Sequence, residues 1–270
     1  MRYVPRSPRE GINVSDEHPL KEAAVLVVGL SFLFAIVMLS LVFIVDLVVV
    51  AVSPETEARI FSGWTPGGIV ELVDDDSRQR AVAGVLQRIE TGWPDSPYDF
   101  RLLVADDDEP NALAVPGGVI VVTTGLLDKV GSENELAFVL AHELGHFRNR
   151  DHLRGIGRGV ALAIFYAAIS GGSGGADIGI AVADLTLRQF SRDQEAAADR
   201  FGLELVQAEY GHVADSWRFF ERLRDTEAQP GIMAAYLSTH PDTGDRIEDI
   251  RRYARDSGWS TVGRTTPLDW

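Results

Sequence analysis

Residues 142 to 146 read His-Glu-Leu-Gly-His, two histidines four apart with a glutamate directly after the first. On an α-helix, positions i and i+4 share a face, so the imidazoles of His142 and His146 come close enough to hold one ion. The flanks favour such a helix. Ser132 and Glu135 have capping-box spacing, Leu136, Leu140, Leu144 and Phe147 form an apolar stripe, and Arg148 and Arg150 suit the negative C-terminal end. At about 100° per residue both histidines project roughly opposite the stripe. One face is therefore expected to pack and the other to coordinate.

A hydrolytic zinc site takes three protein ligands and keeps its fourth position for water, so a further ligand must come from elsewhere in the chain. The stretch from Ser191 to Asp199 supplies a candidate in Glu195. On a helix Glu195 shares its face with Ser191, Ala198, Asp199 and Gly202, and all but Asp199 are small enough to let a second helix come close. Asp199, one turn further, is placed to accept the second ring N–H of a ligating histidine and so fix its tautomer. The plainer alternatives are a solvated Glu195 or its pairing with Arg192, and an Asp199 paired with Arg192 or Arg200.

The elements that must position these residues follow from composition and patterning. The chain has 270 residues, 46% hydrophobic and 24% charged, enough for one or two domains with a sizeable core. A net charge of −15 repels phosphate backbones and argues against a nucleic-acid partner. With no cysteine, neither disulfides nor Cys-ligated zinc nor thiol nucleophiles are available. Ala23 to Val45 carries no charge, and the apolar run resumes from Leu47 to Val52. A span needs about 20 residues and a secretory signal only about 7 to 15, so this segment reads as an uncleaved anchor. Arg2, Arg6, Arg9 and Lys21 precede it and only Arg59 follows before Arg78, which predicts a cytoplasmic N-terminus with everything from Ser53 onward across the membrane.

Beyond the anchor the patterning predicts a helix from about Asp74 to Ile89 and a strand over Asp99 to Ala105. A hairpin, Asn111 to Val115 with Val119 to Thr124, turns at Pro116-Gly117-Gly118. Helices are expected near 132 to 150, 153 to 170, 180 to 208, 212 to 226 and 242 to 255. The apolar stretch Gly159 to Ala183 is broken by Gly171, Gly172, Gly174, Gly175 and Asp177. It reads as a buried helix followed by a loop, with a membrane-dipping hairpin as the alternative. His18 precedes the anchor, and His152 and His212 read as surface or helix-end residues.

Four matches in order resemble the HtpX-like and CAAX-prenyl-endopeptidase-like zinc metallopeptidases, which are membrane-associated gluzincins. They are Asn111-Ala-Leu-Ala-Val-Pro-Gly-Gly118, His142-Glu-Leu-Gly-His146, Ser191-Arg192 leading to Glu195 and Asp199, and Thr239-His240-Pro241 with Arg246-Ile247. The resemblance spans roughly residues 75 to 255. It implies an α+β fold, a mainly helical zincin domain with a small β-sheet, here behind one N-terminal transmembrane helix. It implies one Zn²⁺ per chain on His142, His146 and Glu195, Glu143 as general base, Asp199 behind a ligand, and His240 facing the centre as a possible oxyanion donor. A turn histidine before a proline-initiated helix is the other reading of His240.

The expected organisation is a cytoplasmic tail (1–22), an anchor (23–52), a linker (53–73), a peptidase domain (74–256) and a C-terminal tail (257–270). Expected partners are polypeptide or misfolded-protein substrates and a membrane, in a bacterial inner membrane with the catalytic domain periplasmic. A membrane-tethered chaperone or binding module with the same fold is the alternative, against which Glu143 argues, since binding alone needs no general base.

Overall fold

The computed structural model describes residues 18–61, 71–73, 77–169, 190–226, 236, 239–240, 245–268 and 270. The chain divides into two compact units, Met1–Ile44 and Val45–Trp270. In the first, the described residues belong almost wholly to helix α1 (Pro19–Ala51), whose large apolar side chains, Leu26, Phe32 and Leu33 among them, are exposed. Among the described residues α1 is the one helix long and apolar enough to cross a membrane.

The second unit begins with the last turns of α1 and continues as α2 (Pro54–Ile60), α3 (Ser77–Glu90), β1 (Arg101–Ala105), β2 (Ala112–Val115), β3 (Val119–Thr123), α4 (Thr124–Lys129), α5 (Glu133–Asn149), α6 (Asp151–Ile169), α7 (Arg192–Tyr210), α8 (Arg218–Thr226) and α9 (Arg246–Asp256). It is a mostly helical α+β domain with a three-stranded sheet in the order β1-β3-β2. β3 is central, parallel to β1 and antiparallel to β2, with Val115 opposite Val119 at the hairpin end. Every residue of β3 is buried, as a central strand covered on both faces must be. The turn needs Gly117 and Gly118, whose φ values of 85° and 78° lie in the left-handed region.

Capping explains where the two helices that matter most begin. Ser132 accepts from the Glu135 amide at the start of α5, and Ser191 with Gln194 closes a full capping box on α7. α5 departs from the expected two-faced helix: every residue from Asn134 to Phe147 is buried, because the sheet, α3 and α7 surround it. The polar face still exists, but it looks into the protein. α5 and α7 pack closely enough that a Cβ on Gly145 would stand 2.6 Å from Ala198 Cα, which is why the Ala198 face has to be small.

His152 is buried at the start of α6 and bound to Glu57, because α2 lies over it. The stretch expected as linker contains α2, begun by a Ser53 cap with Pro54 in the first turn, and Leu72 bridges to Ala105. The last residues also join the domain, for the Glu133 amide donates to Thr266 O and the Thr266 amide to Asn134 Oδ1. The segment from 180 to 189 of the expected long helix lies outside the described residues, and α7 begins at Arg192.

Candidate metal centre

α5 presents His142, Glu143 and His146, α7 presents Glu195 and Asp199, and His240 arrives from the stretch before α9; all six are buried. The outer nitrogens fix the tautomers. His142 Nδ1 lies 2.9 Å from Asp199 Oδ1, and His146 Nδ1 lies 3.0 Å from Asp151 Oδ2. A carboxylate accepts only, so each Nδ1 carries the hydrogen and each Nε2 is left with a lone pair.

Those lone pairs converge. His142 Nε2 is 3.1 Å from His146 Nε2 and 3.2 Å from His240 Nδ1, which is 3.0 Å from Glu195 Oε1. His146 Nε2 is 3.4 Å from that same oxygen. Two Nε2 lone pairs and a carboxylate oxygen crowd at such separations unless a proton or cation lies among them, and His240 Nδ1, which faces the same carboxylate oxygen, supplies either the proton or a further lone pair according to its tautomer. The spacing also fits one ion, since bonds of about 2.0 to 2.1 Å in a tetrahedron give donor separations of roughly 3.3 Å. Two imidazoles, a carboxylate and a third imidazole form a nitrogen-and-oxygen donor set suited to a borderline-soft divalent metal.

Glu143 stands beside this cluster, and neither of its buried oxygens has a hydrogen-bond partner. Its Oε1 is 3.6 Å from His240 Nε2, which is also unpartnered. Burial pushes the Glu143 carboxyl above its ordinary range. Glu195 shows the opposite balance: burial would raise it, but the charges of His240, Arg246 and His142 hold it well below the usual carboxylate range. For His142 burial wins, lowering the imidazole to about 4. His142 is thus neutral near pH 7, the form in which it can ligate; at His146 burial is outweighed by the hydrogen bonds to Asp151 and Glu195, which raise the imidazole to about 9, so an ion binding there would take the place of a proton.

Arg246 closes the far side. Its Nε and Nη2 donate to the two Asp199 oxygens, each at 2.8 Å, and Nη1 lies 2.9 Å from Glu195 Oε2. The guanidinium carbon sits 4.4 Å from the centroid of the Phe220 ring. Glu195 and Asp199 therefore pair with Arg246 and the histidines, not with Arg192 or Arg200, because both face inward toward α5 and α9.

All the residues singled out in the sequence meet here, with His240 among the donors themselves. Two residues that sequence reasoning left without a role join them. Asp151 holds His146 and also accepts from Gln194 Nε2 at 2.6 Å, linking the start of α7 to the end of α5. Arg246 is the other. Asp151 lies five residues after His146, a spacing that hinted at proximity; nothing local in the sequence points Arg246 at Asp199.

The model of peptidase family M48 matches residues 73–254, and the chain belongs to this family. It is 34% identical over 174 residues to the mitochondrial metalloendopeptidase OMA1 of Schizosaccharomyces pombe, covering 64% of this chain and 52% of that protein. It is 29% identical over 197 residues to a putative beta-barrel assembly-enhancing protease of Vibrio cholerae, covering 68% and 40%. Against the metalloprotease LoiP of Escherichia coli the identity is 30% over 161 residues, covering 57% and 62%. The chain thus spans about half or less of the first two relatives.

Proposed function

We propose that this member of peptidase family M48 is a membrane-anchored zinc endopeptidase that hydrolyses peptide bonds in polypeptide substrates. The observation that carries the reading is the convergence of potential ligand atoms from four buried residues, His142, His146, Glu195 and His240, beside the buried Glu143 carboxylate. His142, His146 and Glu195 would hold the ion, one per chain. When bound, zinc would supply Lewis acidity and a water of lowered pKa.

The residues divide the remaining work. Glu143, raised by burial and without a side-chain hydrogen-bond partner, takes a proton from the attacking water and returns it to the leaving amine. Asp199 and Asp151 keep the two α5 imidazoles in the ligating tautomer, and Arg246 balances the negative charge of Glu195 and Asp199. His240 cannot remain a fourth donor during turnover, since a hydrolytic site needs an open position. Displaced from the donor set, it is placed to hydrogen-bond the oxyanion. β2 is an edge strand, and an extended peptide added alongside it would run past Glu143.

The anchor reading rests on α1, and a cytoplasmic N-terminus on the basic residues that precede it. The catalytic domain would then face the periplasm of a bacterial inner membrane. A role in quality control of envelope proteins is the physiological part of this reading, and the Vibrio cholerae relative is named a putative beta-barrel assembly-enhancing protease. The test is elemental analysis and casein cleavage by the detergent-purified full chain. We expect close to one zinc per chain, with cleavage lost to a chelator and restored by zinc. A zinc-replete preparation without bound metal, or cleavage indifferent to its removal, overturns the assignment.

A further inference from the structure

The start of α6 is bound to the end of α1. Arg150, just before α6, donates to Val49 O at 2.6 Å and also to Val52 O. One helical turn further Arg154 Nε lies 3.3 Å from Asp46 Oδ1, with Arg158 Nη2 3.6 Å from the same oxygen. Gly157 is pressed against Val45 so closely that a Cβ there would stand 2.6 Å from Val45 Cγ1. As α6 advances its partners step backward along α1, from 52 and 49 to 46 and 45, so the two segments run antiparallel.

Asp46 marks a boundary in the sequence. The uncharged run from Ala23 to Val45 rises about 34 Å as a helix, close to the hydrocarbon thickness of a bilayer at about 30 Å. Asp46 then falls at the edge of the hydrocarbon, where Arg154 and Arg158 neutralise it. Past Arg158, α6 reads Gly-Val-Ala-Leu-Ala-Ile-Phe-Tyr-Ala-Ala-Ile to Ile169, without a charge. Val160 and Leu162 are 37% and 40% exposed, although a water-facing helix of this composition would bury them.

From these observations we infer that the second half of α6, Val160 to Ile169, is embedded in the lipid bilayer beside the exit of the anchor. The occupant of the face exposed at Val160 and Leu162 is acyl chain. From Gly157 to Ile169 the helix rises roughly 18 Å, enough to enter the hydrocarbon and too little to cross it. The consequence for catalysis is positional: Asp151, which holds His146, begins the same helix, so the metal ligands sit at the lipid–water boundary. The inference rests on the reading of α1 as an anchor.

The chain has no cysteine, so single-cysteine variants can be labelled cleanly. We would reconstitute the full chain in phosphatidylcholine vesicles with bimane at Leu162→Cys, at Leu33→Cys in α1, or at Val262→Cys, an 81% exposed position of the domain. Quenching by nitroxide-labelled lipids is then compared with quenching by aqueous iodide. We expect the 162 label to respond to lipid nitroxides several-fold more than the 262 label, and to iodide several-fold less. Iodide quenching at 162 equal to that at 262, or protection from both quenchers, overturns the inference while the 33 label still reports lipid. If the 33 label too is blind to lipid nitroxides, the anchor reading falls and takes this inference with it.

Discussion

Two buried polar clusters among the described residues of this domain are built from the same residue types with opposite logic. At the junction between α2, α6 and the β2–β3 turn, Glu57 is wholly buried and fully answered. Its Oε1 accepts from the Gly117 amide at 3.1 Å and from His152 Nε2 at 2.7 Å; its Oε2 accepts from Tyr98 OH at 3.0 Å and Arg150 Nη2 at 3.1 Å. Four donors meet one carboxylate. At the candidate metal centre, the ring nitrogens of three histidines crowd around one another and Glu195, and neither oxygen of Glu143 has a side-chain hydrogen-bond partner. A satisfied cluster holds a fold together; one of equal burial with open positions could take a cation and a substrate. Burial and residue type do not separate the two. The direction of the lone pairs does.

Substitutions on the two sides should therefore fail in different ways. The largest effect is expected from Glu143→Gln, which leaves every donor of the metal set in place but removes the proton acceptor. Peptide hydrolysis should fall by about 10³-fold or more while zinc content stays near that of the parent. Activity within about tenfold of the parent would mean that another base operates.

Metal content then separates the clusters. His146→Ala removes one donor and should strip the bound zinc, whereas Glu57→Gln should keep it. Glu57→Gln should instead lower the thermal midpoint by roughly 10 °C, because removing one partner from a buried charged cluster costs about 3 kcal/mol or more. Elemental analysis and a melting curve on the same preparations check both halves. Zinc lost from the Glu57 variant at a temperature where it remains folded would show the two clusters to be one.

Much of the candidate metal centre was legible because its proposed ligands come in local patterns. His142 and His146 are one turn apart, and Glu195 declares itself through the small residues Ala198 and Gly202, which the structure uses to bring α7 against α5. The strands and their glycine turn were equally readable, since β3 is buried throughout and Gly117 and Gly118 need positive φ. What could not be read was every contact between distant segments. Glu57 lies 95 residues from His152 and 93 from Arg150, and nothing near 57 distinguishes a structural carboxylate from a solvated one. Arg246 was legible as part of a motif but not as the partner of Asp199, 47 residues away. Likewise α5 looked two-faced because its sequence carries one apolar stripe, while a domain that wraps a polar site buries both faces.

The smallest and most diagnostic effect concerns acid. Burial alone would raise the Glu57 carboxyl, but the hydrogen bond and charge of His152, the Gly117 amide and Tyr98 hold it at about 2, below its ordinary value of 4.5. A carboxylate depressed in the folded state stabilises that state fully above its unfolded pKa, and the contribution fades as pH falls toward the folded value. The advantage of the parent over Glu57→Gln should accordingly be constant above about pH 5 and shrink steadily between about pH 4.5 and 2. Acid also releases metal from histidine ligands, so both chains should be compared after chelation, which cancels the contribution of the other cluster. A difference that instead grows as the solution is acidified would mean that Glu57 is protonated in the folded protein, and that the junction resembles the metal centre more than the answered cluster described above.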